Sequence, residues 1–420
     1  MTKKTAATEM PARTGPRGPS RIRGVLLVSA IVLLAANLRP ALTSVAPLIG
    51  QIRTDTGISN GVAGLITTLP LLAFGLLSPV APRLAHRFGM ERTVLASLLV
   101  LAVGIVLRSA EAVAALFLGT AILGAAIVVG NVLLPSLIKR EFPEHAGFMT
   151  SVYSTALGIS AALAAGVSVP VMDLIGIGWR GSLALWALPA LLAVTAWLPQ
   201  MRYGRPANAA AGTFQAPSGL WRSTLAWQVT SFMGLQSLAY FVTLTWLPEI
   251  LQTEGMSATR AGWMLALSQA VAIVSMFFAP VLAGRRPSQR GGVVAAVTLS
   301  GAGAFGLLVA GGFASTLWVV LLGLGQGACF SLALTFFALR APDSQHAAAL
   351  SGMAQTVGYL LAAGGPSFFG VLRDVTHAWT VPLVVLLAVT VLLLIAGLGA
   401  ARDAHVAALT PEDTGQQAGS

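Results

Sequence analysis

The sequence is short of charge, of acids above all, and of nearly every grouping on which enzyme chemistry is built. Asp, Glu, Lys and Arg make up 9% of its 420 residues, where a soluble domain carries roughly a quarter. A chain this poor in charge cannot cover its own surface in water, so most of that surface must face lipid. The single cysteine, Cys329, rules out a disulfide framework within one chain, and its place in an apolar run reads as a small buried hydrophobe. All five histidines fall in loops or in the C-terminal tail. No Gly-rich phosphate loop, metal-ligand spacing or nucleophile beside a base is present, so neither enzyme activity nor a resident cofactor or metal is expected. Residues 1–22 are basic and rich in Pro and Gly, without the short apolar core and small-residue cleavage site of a signal peptide, and read as a cytoplasmic tail.

What is present is apolar length. Hydrophobic residues make up 56% of the chain, and the mean hydropathy is +0.81. A hydrocarbon core of about 30 Å takes roughly 20 apolar residues per helix. Apolar stretches separated by charge or Gly/Pro clusters give twelve spans: 24–52, 58–82, 92–109, 112–138, 147–171, 182–200, 223–250, 259–284, 291–311, 315–339, 347–371 and 379–401. The fold class expected is therefore all-α, a polytopic membrane protein of twelve transmembrane helices. The net charge of +11 would point to nucleic acid in a soluble protein. Here the cations sit in short loops, where they set topology, so the partners expected are the bilayer and a small solute. Of 25 Lys and Arg, 19 fall on the side of the termini and 5 on the other, with Arg39 inside a span. That bias places both termini in the cytoplasm, as in a bacterial inner membrane.

The longest polar interruption, residues 201–221, separates six spans from six and reads as a cytoplasmic linker. It divides the chain into a tail (1–22), an N-terminal bundle (23–200), a C-terminal bundle (222–402) and a second tail (403–420). Landmarks recur at an offset of 201: Pro47 and Pro248, Pro79 and Pro280, His145 and His346, Asp173 and Asp374. Two parallel six-helix repeats with a solute site between them is a transporter plan. A monomer is expected.

Polar side chains are costly against lipid, so they report which helices face something else. Spans 3, 6, 9 and 12 hold no intramembrane Asn, Gln, Tyr or ionisable group. Of the other eight, span 2 holds Thr67 and Thr68, and seven hold the candidate solute-binding residues: Asn37, Arg39 and Thr43, then Asn131 and Tyr153, Gln236 and Tyr240, Gln269, Gln326, and Gln355 with Tyr359. Gln236 and Tyr240 are four residues apart, as are Gln355 and Tyr359, so each pair shares a helix face. These amides have a second role open to them, as hydrogen-bonding links between helices. The tryptophans lie mostly near span ends, as interfacial anchors do, with Trp246 and Trp263 also placed to cap a cavity mouth.

Arg39 is the sharpest of these. It lies 16 residues after Arg23 and 14 before Arg53, near the membrane centre, and no Asp or Glu stands inside any other span to pair with it. It cannot shed its proton. A guanidinium facing a wet cavity is a receptor for an anion or an electronegative group, able to hold planar oxygens with two parallel bonds. The alternative is that it binds main-chain carbonyls, since Pro40 frees the carbonyl of Ala36. Tyr240 is the repeat partner of Arg39 at the same offset of 201, so the two should approach one region of the midplane.

The segment 82–92 (PRLAHRFGMER) resembles the cytoplasmic loop signature of the major facilitator superfamily, except that His86 stands where an acid is usual and the gating salt bridge expects one. More specific are NLRPALTSVAPLI (37–49), GLITTLPLLAFGLLSPVAPRLA (64–85), GNVLLPSLIKREFP (130–143), AWQVTSFMGLQSLAYF (226–241), WLPEILQ (246–252), LGLGQGACFSLALT (322–335) and ALSGMAQTVGYLLAA (349–363). Together they resemble the cyanate/2-nitroimidazole permease (CynX/NimT) branch of that superfamily, from about residue 24 to 400. The resemblance implies alternating access, a gating loop at Arg83, His86, Arg87 and Arg92, and transport of a compact, electron-rich solute such as a cyanate-like anion or a nitro or carboxylate compound. The superfamily's pocket, on the inner faces of helices 1, 4, 7 and 10, agrees with the positions of Arg39, Asn131, Gln236 and Gln326. Two other functions stay open: a drug or metabolite efflux pump of the same fold, for which a buried acid is the usual cation receptor, and a solute sensor that transports nothing.

Overall fold

The computed structural model describes residues 21–203, 220–283, 288–309 and 314–406. Most of the expected tails and linker (1–20, 204–219 and 407–420), with Arg205, Arg285 and Arg286 from the charge count, lie outside the described residues.

Among the described residues every regular element is helical. The first span is broken into α1 (Arg21–Asn37), α2 (Pro40–Thr43) and α3 (Ile49–Thr56), with a 3-10 turn at Ala46–Leu48. Pro40 and Pro47 are the cause, because each removes an N–H and clashes with the carbonyl four residues back. Next come α4 (Asn60–Leu77), α5 (Val80–Phe88), α6 (Met90–Arg108), α7 (Val113–Glu141) and α8 (Ala146–Ile175). The sixth span is split into α9 (Gly178–Ala184) and α10 (Ala187–Trp197). The second half holds α11 (Thr224–Thr253), α12 (Ala258–Ala283), α13 (Arg290–Val309), α14 (Ser315–Leu339), α15 (Ser344–Thr376) and α16 (Thr380–Ala400). Left-handed glycines end α3 and α8, Gly57 at φ 71° and Gly176 at φ 69°, a conformation that costs glycine little. Many hydroxyls inside the spans bond to their own helix, as Thr120 does to Leu116 O (2.6 Å) and Ser168 to Ala164 O.

Ten of the described helical stretches are both long and apolar enough to cross a membrane. The other two spanning helices, α11 and α15, have 30 and 33 residues, about 45 and 50 Å at 1.5 Å per residue. They are ample in length and fall short in apolarity, because Gln, Ser, Thr and Tyr side chains such as Gln236, Ser237, Tyr240 and Tyr359 face the interior of the protein instead of lipid.

Call the face holding residues 21, 203, 220 and 406 proximal, and the opposite face distal. One buried apolar cluster belongs to the first half alone, around Leu34, Leu98, Leu134 and Trp197, and a second to the other half, around Phe232, Leu332 and Phe336. The third joins both halves and uses their distal ends, among them Ile52, Ala165, Trp246, Leu251, Ala261 and Trp379. The halves are therefore welded at the distal face and separate toward the proximal one.

Small residues make that weld close. A Cβ on Gly64 of α4 would lie 2.6 Å from the Pro366 backbone of α15, and one on Gly262 of α12 would lie 2.8 Å from Ala165 O of α8. Polar links cross the same seam. Arg53 pairs with Glu249 at 2.6 Å. Asp374, at the end of α15, accepts hydrogen bonds from Asn60 N (3.1 Å), Asn60 Nδ2 (2.7 Å) and Gly61 N (2.8 Å) in the first turn of α4. There the unsatisfied N–H groups of the helix favour a carboxylate.

The tryptophans correct one expectation. Trp179, Trp197, Trp246 and Trp379 are buried in protein, not set in an interfacial belt. Trp246 Nε1 donates to Pro366 O (2.9 Å), and its ring tilts against Trp379 at 5.3 Å. Indoles near span ends serve wherever an apolar body and one donor are needed, and here that is the inter-half seam. Arg108, counted among loop cations, is also fully buried.

Candidate solute-binding cavity

Between the halves lies a cavity of about 470 Å³. Its upper wall is at the midplane, where Arg39, Tyr240, Gln326 and Tyr359 come together, and its sides run toward the proximal ends of α8, α12 and α14 at Thr150, Pro280 and Thr335. It therefore opens on the proximal face beneath the distal weld. Among the described residues none from the third, sixth, ninth or twelfth span lines it, in keeping with their lack of intramembrane Asn, Gln and Tyr, but none from the second or fourth does either, so six spans and not eight face the cavity.

Arg39 is the only charged residue among the described residues that line the cavity. Pro40 places it at the break between α1 and α2, where the chain leaves helical pairing and the side chain projects from the N-cap of α2. Its guanidinium is half-buried and reaches across the halves, Nη1 donating to the Tyr240 hydroxyl at 3.5 Å with the carbon 5.8 Å from the ring centroid. The two repeat partners thus meet. Gln269 Nε2 donates to the same hydroxyl oxygen at 2.7 Å. With both lone pairs of that oxygen engaged, the Tyr240 O–H proton is directed elsewhere, and the cavity is where it can donate. Phe241 and Tyr359 continue an aromatic wall beside it, their rings 6.5 Å apart.

The role of bracing main-chain carbonyls at the break falls to a different arginine. Arg108 Nη1 donates to Ala41 O at 2.5 Å from a fully buried position, while its Nε and Nη2 find no partner among the described residues.

Of the eleven residues expected to bind solute, Arg39, Gln236, Tyr240, Gln269, Gln326 and Tyr359 line this one cavity. Gln326 Nε2 also donates to Thr243 Oγ1 (2.9 Å), and Gln236 Nε2 to Ser237 Oγ (2.7 Å). The remaining five do not line it. Asn37 Nδ2 donates to Leu33 O (2.7 Å) and Pro189 O (3.1 Å), tying α1 to α10. Thr43 bonds to Arg39 O (3.3 Å), Asn131 to Ile127 O (3.0 Å) and Gln355 to Ser351 Oγ (2.8 Å). Tyr153 packs against the core of the first half. Its neighbours Ser151, Ser154, Thr155 and Gly158 line the cavity instead, and their three- and four-residue spacing is the signal that marks this face of α8.

In the proximal loop, Arg83, His86, Arg87 and Arg92 are all exposed, and none forms an ion pair among the described residues. The buried acid there is Glu91, which accepts from Arg140 at 2.5 Å, so α6 is tied to α7 five residues beyond His86.

Comparison with known proteins decides the family. Residues 25–366 match the model of the Major Facilitator Superfamily. The chain belongs to the major facilitator superfamily. Within it the chain is 43% identical to the 2-nitroimidazole transporter of Escherichia coli (strain K12) over 94% of this chain and 100% of that one. It is 31% identical to the Cyanate transport protein CynX of the same strain over 82% and 89%, and so is a member of the cyanate/2-nitroimidazole permease branch. It is also 47% identical to the Uncharacterized transporter YycB of Bacillus subtilis (strain 168) over 92% and 96%. Among solved structures, the nucleoside transporter NupG superposes with a TM-score of 0.76 at 13% identity, over 89% of this chain and 99% of that one. A bacterial homolog of the human lysosomal transporter Spinster, in an inward-facing and occupied conformation, gives 0.72 at 14% over 91% and 97%. These establish the fold of this major facilitator transporter, a multi-pass membrane protein and not an enzyme.

Proposed function

We propose that this transporter carries a small, electronegative solute, such as a cyanate-like anion or a nitro or carboxylate compound, by alternating access. The observation that carries the reading is Arg39, a permanent cation at the midplane wall of the cavity whose hydrogen-bond partner among the described residues is a neutral hydroxyl. A guanidinium offers two parallel donors to paired oxygens. The Tyr240 O–H adds a third donor from the other half, so a solute bound between them touches both halves at once. Relatives named for 2-nitroimidazole and for cyanate agree with such a cargo.

In this reading the bundles 23–200 and 222–402 rock about the site, joined by the linker 201–221, in the cytoplasmic membrane with both termini inside. The cavity then faces the cytoplasm. One chain suffices as a monomer, because each holds a complete site built from both halves. The cavity lining holds no Asp, Glu or His among the described residues, so any proton that crosses travels on the solute. The same lack argues against efflux of cationic drugs.

The test is binding and flux for cyanate, benzoate and 2-nitroimidazole, using purified protein for thermal shift and proteoliposomes for transport. Arg39→Gln is expected to lower affinity for the transported anions at least tenfold, the scale of one charge-assisted hydrogen bond. Undiminished binding of every transported anion would remove Arg39 from the site.

A further inference from the structure

Closing a cavity around a fixed charge has consequences for the empty carrier. The Arg39 guanidinium has neutral neighbours, Tyr240 at 3.5 Å and, through it, Gln269. The acid nearest along α11, Glu249, lies nine residues beyond Tyr240, about 14 Å up the helix, and it is already paired with Arg53 at 2.6 Å. In the state seen here the open proximal side lets water solvate the guanidinium. To change sides the carrier must pass through a state with both faces shut, in which that water is reduced and the proton cannot leave. A bound monoanion cancels the charge. A neutral occupant, or none, does not.

We infer that the protein is an exchanger of monoanions, the anionic members of the cargo class proposed above: it reorients readily with an anion on Arg39 and slowly when empty or holding a neutral solute, so an anion on the receiving side accelerates release on the other. This rests on Arg39 receiving the solute, as proposed above. It adds that the same residue sets the rate of the return step and the charge stoichiometry. One monoanion exchanged for another makes the cycle electroneutral, because Arg39 moves neutralised in both directions.

The return step can be measured without knowing the cargo. Thr67 of α4 is buried in the inter-half seam, where Thr245 Oγ1 donates to it at 2.9 Å, and it is not a lining residue of the cavity. Cysteine in its place becomes reachable from the distal side only when the weld opens, and Cys329, 1% exposed, stays silent. In Thr67→Cys protein kept in a zwitterionic buffer with no added carboxylate or small inorganic anion, distal labelling by a membrane-impermeant maleimide reports reorientation of the empty carrier. Arg39→Gln is expected to speed labelling at least tenfold, whereas Arg39→Lys, which keeps the charge, is expected to leave it slow. Saturating cyanate is expected to accelerate the Arg39 protein by a similar factor and to leave Arg39→Gln unchanged. Thermal unfolding checks that each variant is folded.

Equal labelling rates for Arg39 and Arg39→Gln proteins in the zwitterionic buffer would overturn the exchange inference while leaving anion binding at Arg39 standing. Fast labelling of Arg39→Gln together with no response of the Arg39 protein to cyanate would support the charge barrier and count against cyanate as cargo. Accelerated labelling of Arg39→Lys would also overturn it, because the shape of the side chain and not its charge would then set the rate.

Discussion

Replacing Asp374 with Asn should release the distal weld. The carboxylate accepts three hydrogen bonds at 3.1, 2.7 and 2.8 Å from Asn60 and Gly61, all at the start of α4 and all crossing between the halves. Asparagine keeps one acceptor oxygen and turns an NH₂ group toward donors, so at least one charge-assisted bond is lost, worth roughly 1.5–3 kcal/mol, together with the attraction of the charge to the helix terminus, about 0.3–1 kcal/mol. Because Asp374 is partly exposed, the low end of that range applies, and a net loss of about 2 kcal/mol moves the balance between distal-closed and distal-open states by roughly 30-fold. Spin labels on cysteines at Thr54 and Glu254, exposed distal residues of opposite halves, would show a second, longer distance growing in Asp374→Asn. The repeat supplies an internal control. Asp173, its partner at the offset of 201, is exposed at the end of α8, and Asp173→Asn should leave the distances unchanged. Identical distance distributions in the Asp374→Asn and starting proteins would refute the assignment of Asp374 as a latch.

Two further changes probe the same framework. At Gly64 a Cβ would meet the Pro366 backbone at 2.6 Å and Ser367 Cα at 2.6 Å, so Gly64→Ala should force the seam apart at a cost of about 1–3 kcal/mol, seen as a lower thermal midpoint and a larger distal-open fraction; a midpoint equal to the parent's would mean that α4 and α15 pack less tightly than described. Arg108→Met leaves Ala41 O without its 2.5 Å partner, a cost of roughly 1–3 kcal/mol for the unpaired carbonyl, and removal of a buried cation whose Nε and Nη2 are unpartnered offsets part of it; thermal unfolding should show a net loss of stability, and an unchanged midpoint would mean that Arg108 does not support the break.

The acid that holds the proximal loop shows how a local signature can be displaced without losing its physics. His86 cannot supply a fixed negative charge at the position where the superfamily signature has one, yet Glu91 in the first turn of α6 pairs with Arg140 at 2.5 Å, and Trp197 Nε1 closes on Glu91 O at 3.0 Å. The pairing joins α6, α7 and α10 within the first half. It stabilises that bundle and leaves the proximal mouth free to open.

What the sequence determined alone follows from energies that depend on one residue and its position along the chain. Transfer of apolar side chains from water sets the twelve spans; the missing N–H of Pro40 and Pro47 breaks the first; the absence of acids inside the spans leaves Arg39 without a charged partner; and the repeat offset of 201 pairs Arg39 with Tyr240. The tertiary structure decided everything that depends on which way a helix is turned. An intramembrane polar group must avoid lipid, and Asn37, Thr43, Asn131, Gln355, Gln269 and Gln326 all bond within the protein, but only Gln269 and Gln326 do so at the cavity wall, and composition cannot tell these apart. One residue is 100° of rotation on a helix, enough to send Tyr153 into the core and Ser154 into the cavity. The same holds for the buried Arg108, for Trp246 in the seam, and for the distal weld that leaves the cavity open on one side. Each is fixed by a partner from a distant part of the chain, and partner choice is a property of the packed bundle.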